Sequence, residues 1–390
     1  VIAAALTSLA IAAAVPATTP VVLTPDQPRY ALSLRWTPAT ATLSGSERIT
    51  FHNNGTTALP FVWLRFWPNG WHPVGTTRGA TGCTRPRATL RVLAGGRLGR
   101  RAVSCTAYRI DLKTPLAPGA SGSVRVSFAV RVPHADDRFG TVGPITFLGN
   151  AVPILGVREA AGWHLPPYTA TGESFFSLAA TWDARITVPH GYQVASTGTG
   201  PMKHDVWHVK ATDARDFALA VGRLQVDQAA VKGVRVRVLT PYGTARATRR
   251  NVAAWSRAAI ERYTALWGAY GSPELDVVTG AFTTFGGMEY PEVVFTDPFK
   301  APVVHEVAHQ WFYRMVGDDQ WTSPWLDESF ASYAERLLSP GAPCPVPPVP
   351  NLAYLDDSMS VFDSNQDAYY QVVYLGGACA IEDLEHGLGA

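Results

Sequence analysis

At 390 residues the chain is too long for one ordinary domain and long enough to bury two sizeable cores. With 47% hydrophobic, 11% aromatic and only 16% charged residues it has a globular composition, which excludes a disordered chain. A formal net charge of +2 with interspersed signs gives no electrostatic reason to expect a nucleic-acid partner.

The chain opens on an apolar, uncharged, Ala-rich run over residues 1–15, followed by a Pro- and Thr-rich extended stretch. The run is short for a membrane span and carries small residues around Ala12 and Ala14, as a secretory signal does. Residues 1–29 are therefore expected to be a signal-like segment and linker. The protein would then be secreted or associated with the cell envelope, with no stable membrane partner unless the segment is retained as an anchor. Four cysteines suit an exported chain with up to two disulfides. The simplest pairing joins Cys83 to Cys105 and Cys344 to Cys379, although three connectivities are open.

From Tyr30 onward the pattern has period two. Tyr30, Leu32, Leu34 and Trp36 alternate with smaller or polar residues, as do Val124 to Val132 and Trp182 to Val188. Residues 30–224 read as an antiparallel β domain, a sandwich or saddle. Residues 225–390 change character. One alternating run (Val234, Val236, Val238) precedes a helix in which Val252, Trp255, Ala259, Tyr263 and Leu266 recur at helical spacing before Gly268. Strands at 275–279 and 290–295 follow, then helices at 302–316 and 324–338. The whole is a multidomain α+β chain.

The chemistry lies in the last two helices. His305, Glu306 and His309 form H-E-x-x-H. On a helix, positions i and i+4 share a face, so both imidazoles can reach one Zn2+ ion at roughly 2.0–2.1 Å. A catalytic zinc usually takes a third protein ligand, and Glu328, 19 residues after His309, supplies it from a second helix. Glu306 is then the general base, and Glu335, two turns further on, either hydrogen-bonds a ligand or, the reading preferred here, holds the helix pair together. A tyrosine hydroxyl from elsewhere is expected to stabilise the oxyanion.

These residues resemble the M1 family of zinc aminopeptidases, whose signature joins H-E-x-x-H-x18-E to an upstream G-A-M-E-N strand. Here Gly286, Gly287, Met288 and Glu289 stand in that place, with Tyr290 for the Asn. The resemblance implies a thermolysin-like catalytic domain after the β domain and one bound Zn2+. It also implies peptide substrates held by their free N-terminus, with Glu289 binding the α-amino group and the flanking glycines and Met288 aligning the chain. It assigns the oxyanion tyrosine to Tyr374, at the start of YLGG, where the family has Y-E-K-G; Tyr369 and Tyr370 are competitors. The family's second amine-binding residue, from the N-terminal domain, finds no match. The family normally continues its helical subdomain past the position of Ala390, so the catalytic domain is expected to be truncated here. An endopeptidase on the same scaffold is the alternative, with a non-catalytic peptide-binding envelope protein behind it. The epoxide hydrolase activity of one family branch is more remote.

Overall fold

The computed structural model describes residues 27–73, 86–283, 285–339, 344 and 353–388. The apolar N-terminal run and Cys83 lie outside them.

The alternating segments become strands because alternation puts one set of side chains on one face. In Arg29–Thr37, Tyr30, Leu32, Leu34 and Trp36 point inward and every second residue is exposed. This strand lies between Thr42–His52 and Ala180–Thr187 in a seven-stranded sheet. The sheet is antiparallel except where Arg29–Thr37 runs parallel to Ala180–Thr187. Its inner face shares one core with a four-stranded sheet that contributes Val62, Leu64, Tyr108 and Ile110. A second four-stranded sheet, which includes Ile145–Leu148 and Leu219–Gly222, carries the chain toward the next unit.

That unit is built on a five-stranded mixed sheet in the order Leu224–Val231, Val234–Pro241, Glu274–Thr279, Val293–Thr296, Gly287–Met288. Helices α1 (Arg246–Trp267) and α2 (Lys300–Ala308) pack on it and α3 (Trp325–Leu338) packs against those helices, so that Val236, Val277 and Val294 share one core with Ile260, Val304 and Ala331. A separate apolar cluster joins the two units. It sets Ile145, Phe147 and Ala220 against Val278, Met288 and Phe295. Smaller helices α4 (Met359–Phe362) and α5 (Gln366–Tyr369), a π-helical segment Tyr370–Gly376, and α6 (Gly377–Leu388) close the C-terminal side.

Helix α1 ends at Gly268 as expected, but its last core position is taken by Trp267, stacked on Tyr263 at 5.1 Å between ring centroids, while Leu266 is exposed. The helix expected over 302–316 stops at Ala308, with His309 as its cap. Beyond it the chain makes wider bonds, Arg314 N to His309 O and Val316 N to Trp311 O, and Met315 is exposed. Tyr313 adopts φ 136°, outside helical space, while its hydroxyl donates to Asp216 of the β domain at 2.7 Å. Trp311 remains buried, which is why the apolar period persists past the end of the helix.

Candidate active site and metal centre

Helix α2 puts His305 and the capping His309 on one face, and the first turn of α3 brings Glu328 against them. The three candidate ligand atoms converge. His305 Nε2 is 3.1 Å from His309 Nε2 and 3.2 Å from Glu328 Oε2, and His309 Nε2 is 3.4 Å from that oxygen. A tetrahedral ion with bonds of 2.0–2.1 Å separates its ligands by about 3.3–3.4 Å, so the triad has the spacing of one face of a zinc site. The remaining ring nitrogens are also engaged. His309 Nδ1 donates to Phe312 O at 3.0 Å, and His305 Nδ1 lies 3.3 Å from Glu335 Oε2. These contacts orient the rings and leave both Nε2 atoms free to ligate. Burial disfavours charge on Glu328, but the two imidazoles outweigh it and hold its carboxyl below the usual range.

Glu306 lies beside the triad in a cavity of about 370 Å³. Burial raises its proton affinity against the opposing pull of His305. The edge strand Gly287–Met288 passes so close that a Cβ on Gly287 would run into the Glu306 carboxylate. Gly287 therefore has a steric reason to be glycine. Gly286 has none of that kind, since a Cβ there would meet only Pro302 at 3.6 Å. Met288 is buried in the cluster between the two units. Tyr290, where the motif has Asn, turns into the same cluster and donates its hydroxyl to Asn150 at 2.7 Å. Gln310, next to His309, ties the strand down by donating to the carbonyls of Glu289 and Tyr290, each at 3.2 Å.

Tyr374 reaches the centre from the π-helical segment, an irregularity that recurs at functional sites. Its hydroxyl donates to Glu328 Oε1 at 2.6 Å and its ring stacks near His305. Burial, then the Glu328 carboxylate, keep the phenol protonated and hence a donor. Tyr369 and Tyr370 also line the cavity, but Tyr370 is half exposed. Ser329, the residue after Glu328, donates to Val373 O at 2.7 Å, so adjacent bonds join α3 to the segment carrying Tyr374.

The cavity's other end is a carboxylate cluster. Glu289 is buried there, and burial, then the neighbouring Glu173, hold its carboxyl well above the usual range. Glu173 comes from the β domain, where it is paired with the buried Arg138. Sequence reading missed Glu173, Arg138 and Gln320, the residue that contacts both carboxylates. They belong to no periodic or spaced pattern, and only the docking of the two units brings them together. Cys344 and Cys379 are joined in a disulfide. Cys105 is also disulfide-bonded, but its expected partner Cys83 lies outside the described residues.

A family model described as the Peptidase family M1 domain matches residues 259–342. The chain is 28% identical to mouse aminopeptidase B over 223 residues, covering 49% of this chain and 33% of the relative. It is 30% identical to the rat enzyme of that name over 221 residues, with the same coverage. Rice aminopeptidase M1-B is 30% identical over 197 residues, covering 45% of this chain and 22% of the relative. The matched region thus spans about a third or less of each of these relatives. In fold the chain is similar to a crystal structure of the M1 zinc metallopeptidase from Deinococcus radiodurans. The TM-score is 0.61 at 20% identity, covering 94% of this chain and 83% of that one. A mutant of that protein, solved with a Tyr-Ser-Ala substrate, aligns with TM-score 0.62 at 20% identity, covering 93% and 83%.

Proposed function

We propose that the chain is a zinc-dependent aminopeptidase of peptidase family M1, removing residues from peptide N-termini; the match of that family's domain to residues 259–342 and the likeness in fold to an M1 zinc metallopeptidase support this reading. The observation that carries the reading is the meeting, in one cavity, of a tetrahedrally spaced ligand triad with a carboxylate pair.

In this reading His305, His309 and Glu328 hold a single Zn2+. When bound, zinc supplies a water of lowered pKa, near ~7, and polarises the scissile carbonyl. Glu306 takes the proton of the attacking water and passes it to the leaving amine. Tyr374 donates from its hydroxyl to the developing oxyanion. Glu289 and Glu173 pair with the substrate ammonium, which places the first peptide bond, and no later one, over Glu306. The peptide backbone runs along the edge strand Gly287–Met288, which has a neighbour on one side only. The Tyr-Ser-Ala tripeptide named with the related structure is a substrate of this chemical class.

Export is part of the proposal, supported by the Cys344–Cys379 disulfide and the bonded Cys105, which suit an oxidising compartment. No helix among the described residues is long and apolar enough to cross a membrane.

The test is hydrolysis of a peptide series with free and N-acetylated termini by zinc-loaded protein. Cleavage confined to the free-amine members, and reduced roughly 10²–10⁴-fold by Glu306→Gln with zinc content unchanged, is the expected result. Equal cleavage of acetylated peptides would overturn the aminopeptidase reading in favour of an endopeptidase.

A further inference from the structure

We propose that Gln320 is a positioning residue for the amine-binding half of the site, holding Glu289 and Glu173 together and tying them to the metal half. The proposal rests on reading those two glutamates as the amine anchor.

Gln320 lies in the loop between α2 and α3 and is almost wholly buried. Its Nε2 is 3.1 Å from Glu289 Oε1, 2.8 Å from Glu173 Oε2 and 2.9 Å from Asp327 Oδ2. Two carboxylates sharing a buried place repel, and either separation or protonation of one would weaken their hold on an ammonium. An amide among them eases that conflict, since its two N–H hydrogens are shared by Glu289, Glu173 and Asp327 without adding a charge. The other side of the amide is equally specific. Asp327 is adjacent in sequence to Glu328, and its Oδ1 accepts the Glu328 backbone N–H at 2.8 Å. An unbroken path therefore runs from the ligand Glu328 through Asp327 and Gln320 to Glu289. That path sets the distance between the metal and the amine anchor, the dimension on which cutting after one residue depends.

A second observation supports the assignment. Gln320 Oε1 is buried with no hydrogen-bond partner. An orphaned buried acceptor is costly and calls for an explanation. Turning the amide over would withdraw the donors that now reach three carboxyl groups and set its oxygen among theirs. The side chain gives up its acceptor so that all its donor capacity serves the cluster.

The experiment uses the full, zinc-loaded chain with Gln320→Met, which keeps side-chain length and removes the donors, and Gln320→Asn, which keeps the amide and shortens its reach. Three quantities are measured: KM and kcat on a free-amine peptide, the affinities of one hydroxamate that carries an α-amine and one that lacks it, and zinc content. The expected result is a rise in KM and a loss of affinity for the amine-bearing hydroxamate, each about 10- to 100-fold, the range for a hydrogen bond to a charged group. Affinity for the amine-free hydroxamate and zinc content stay at the wild-type level. Equal losses for both hydroxamates, or loss of zinc, would reduce Gln320 to a general structural role and overturn the proposal. So would unchanged KM in the folded variants while the wild type still requires a free amine. Equal cleavage of acetylated peptides by the wild type would instead overturn the anchor reading and this inference with it. Where Gln320→Met yields no folded protein, Gln320→Asn decides by the same comparison of hydroxamates.

Discussion

The two halves of the site are built in different ways. The metal half is local: His305 and His309 are one helical turn apart, and Glu328 and Glu335 lie on the next helix. The amine half is assembled from an edge strand, a loop and a different folding unit, contributing Glu289, Gln320 and Glu173 respectively. Each half also meets its charge differently. In the metal half, opposite charges face one another and push Glu328 toward the ionised form. In the amine half, burial and then the like charge of Glu173 raise Glu289, a penalty that a bound cation would relieve. A perturbation in the β domain should therefore act on substrate affinity, and one in the helices on zinc or turnover.

The largest effect separating the halves is expected from Tyr374→Phe. Removing the hydroxyl should lower kcat roughly 10²–10³-fold while KM for free-amine peptides and zinc content hold, as read by steady-state kinetics and metal analysis. A comparable rise in KM instead would place Tyr374 in substrate binding and blur the division. Next in size is Glu335→Gln, which withdraws the carboxylate behind His305 Nδ1. Zinc affinity, measured by competition with a chelator, should fall about 10- to 100-fold with KM unaffected once zinc is saturating. Unchanged affinity would show that packing alone orients His305.

The smallest effect concerns a carboxylate outside the site. Glu47 is buried in the β-domain core, facing the same side of its strand as Leu43 and Ile49, and neither oxygen has a hydrogen-bond partner. Burial raises its pKa well above the ordinary 4.5. Between those two values the folded chain holds a proton that the unfolded chain has released. Stability from this group is therefore full below about pH 4.5 and lost as pH rises. Glu47→Leu should raise the melting temperature by a few degrees at neutral pH, the scale of a change of one or two kcal/mol. The gain should shrink toward pH 4. A gain independent of pH would mean that packing, and not ionisation, limits the wild type. The site carboxylates have cations or donors around them, whereas Glu47 has neither.

Much of this was legible in the residues themselves. The strands around Tyr30, Val124 and Trp182 declared themselves because alternation is a property of the strand itself. The H-E-x-x-H pair was legible because a helical turn converts a spacing of four into a shared face. Glu328 followed from the need for a third ligand and a nearby helix start. Where the reading slipped, tertiary contacts had overridden a local pattern: α2 stops at Ala308 although the apolar period continues, while Tyr313 is held by Asp216.

The sequence by itself pointed to His305, His309 and Glu328 as side chains that converge, to the strand next to them and to the order of β unit before helices, since each depends on residues close together along the chain. Only the tertiary structure decided how the amine half is completed, which tyrosine bonds Glu328, and where Tyr290 turns. Glu173 lies 116 residues before Glu289, and no spacing rule reaches across that interval. Their meeting depends on how two apolar faces pack, and packing is set by the combined shape of many side chains rather than by any one motif.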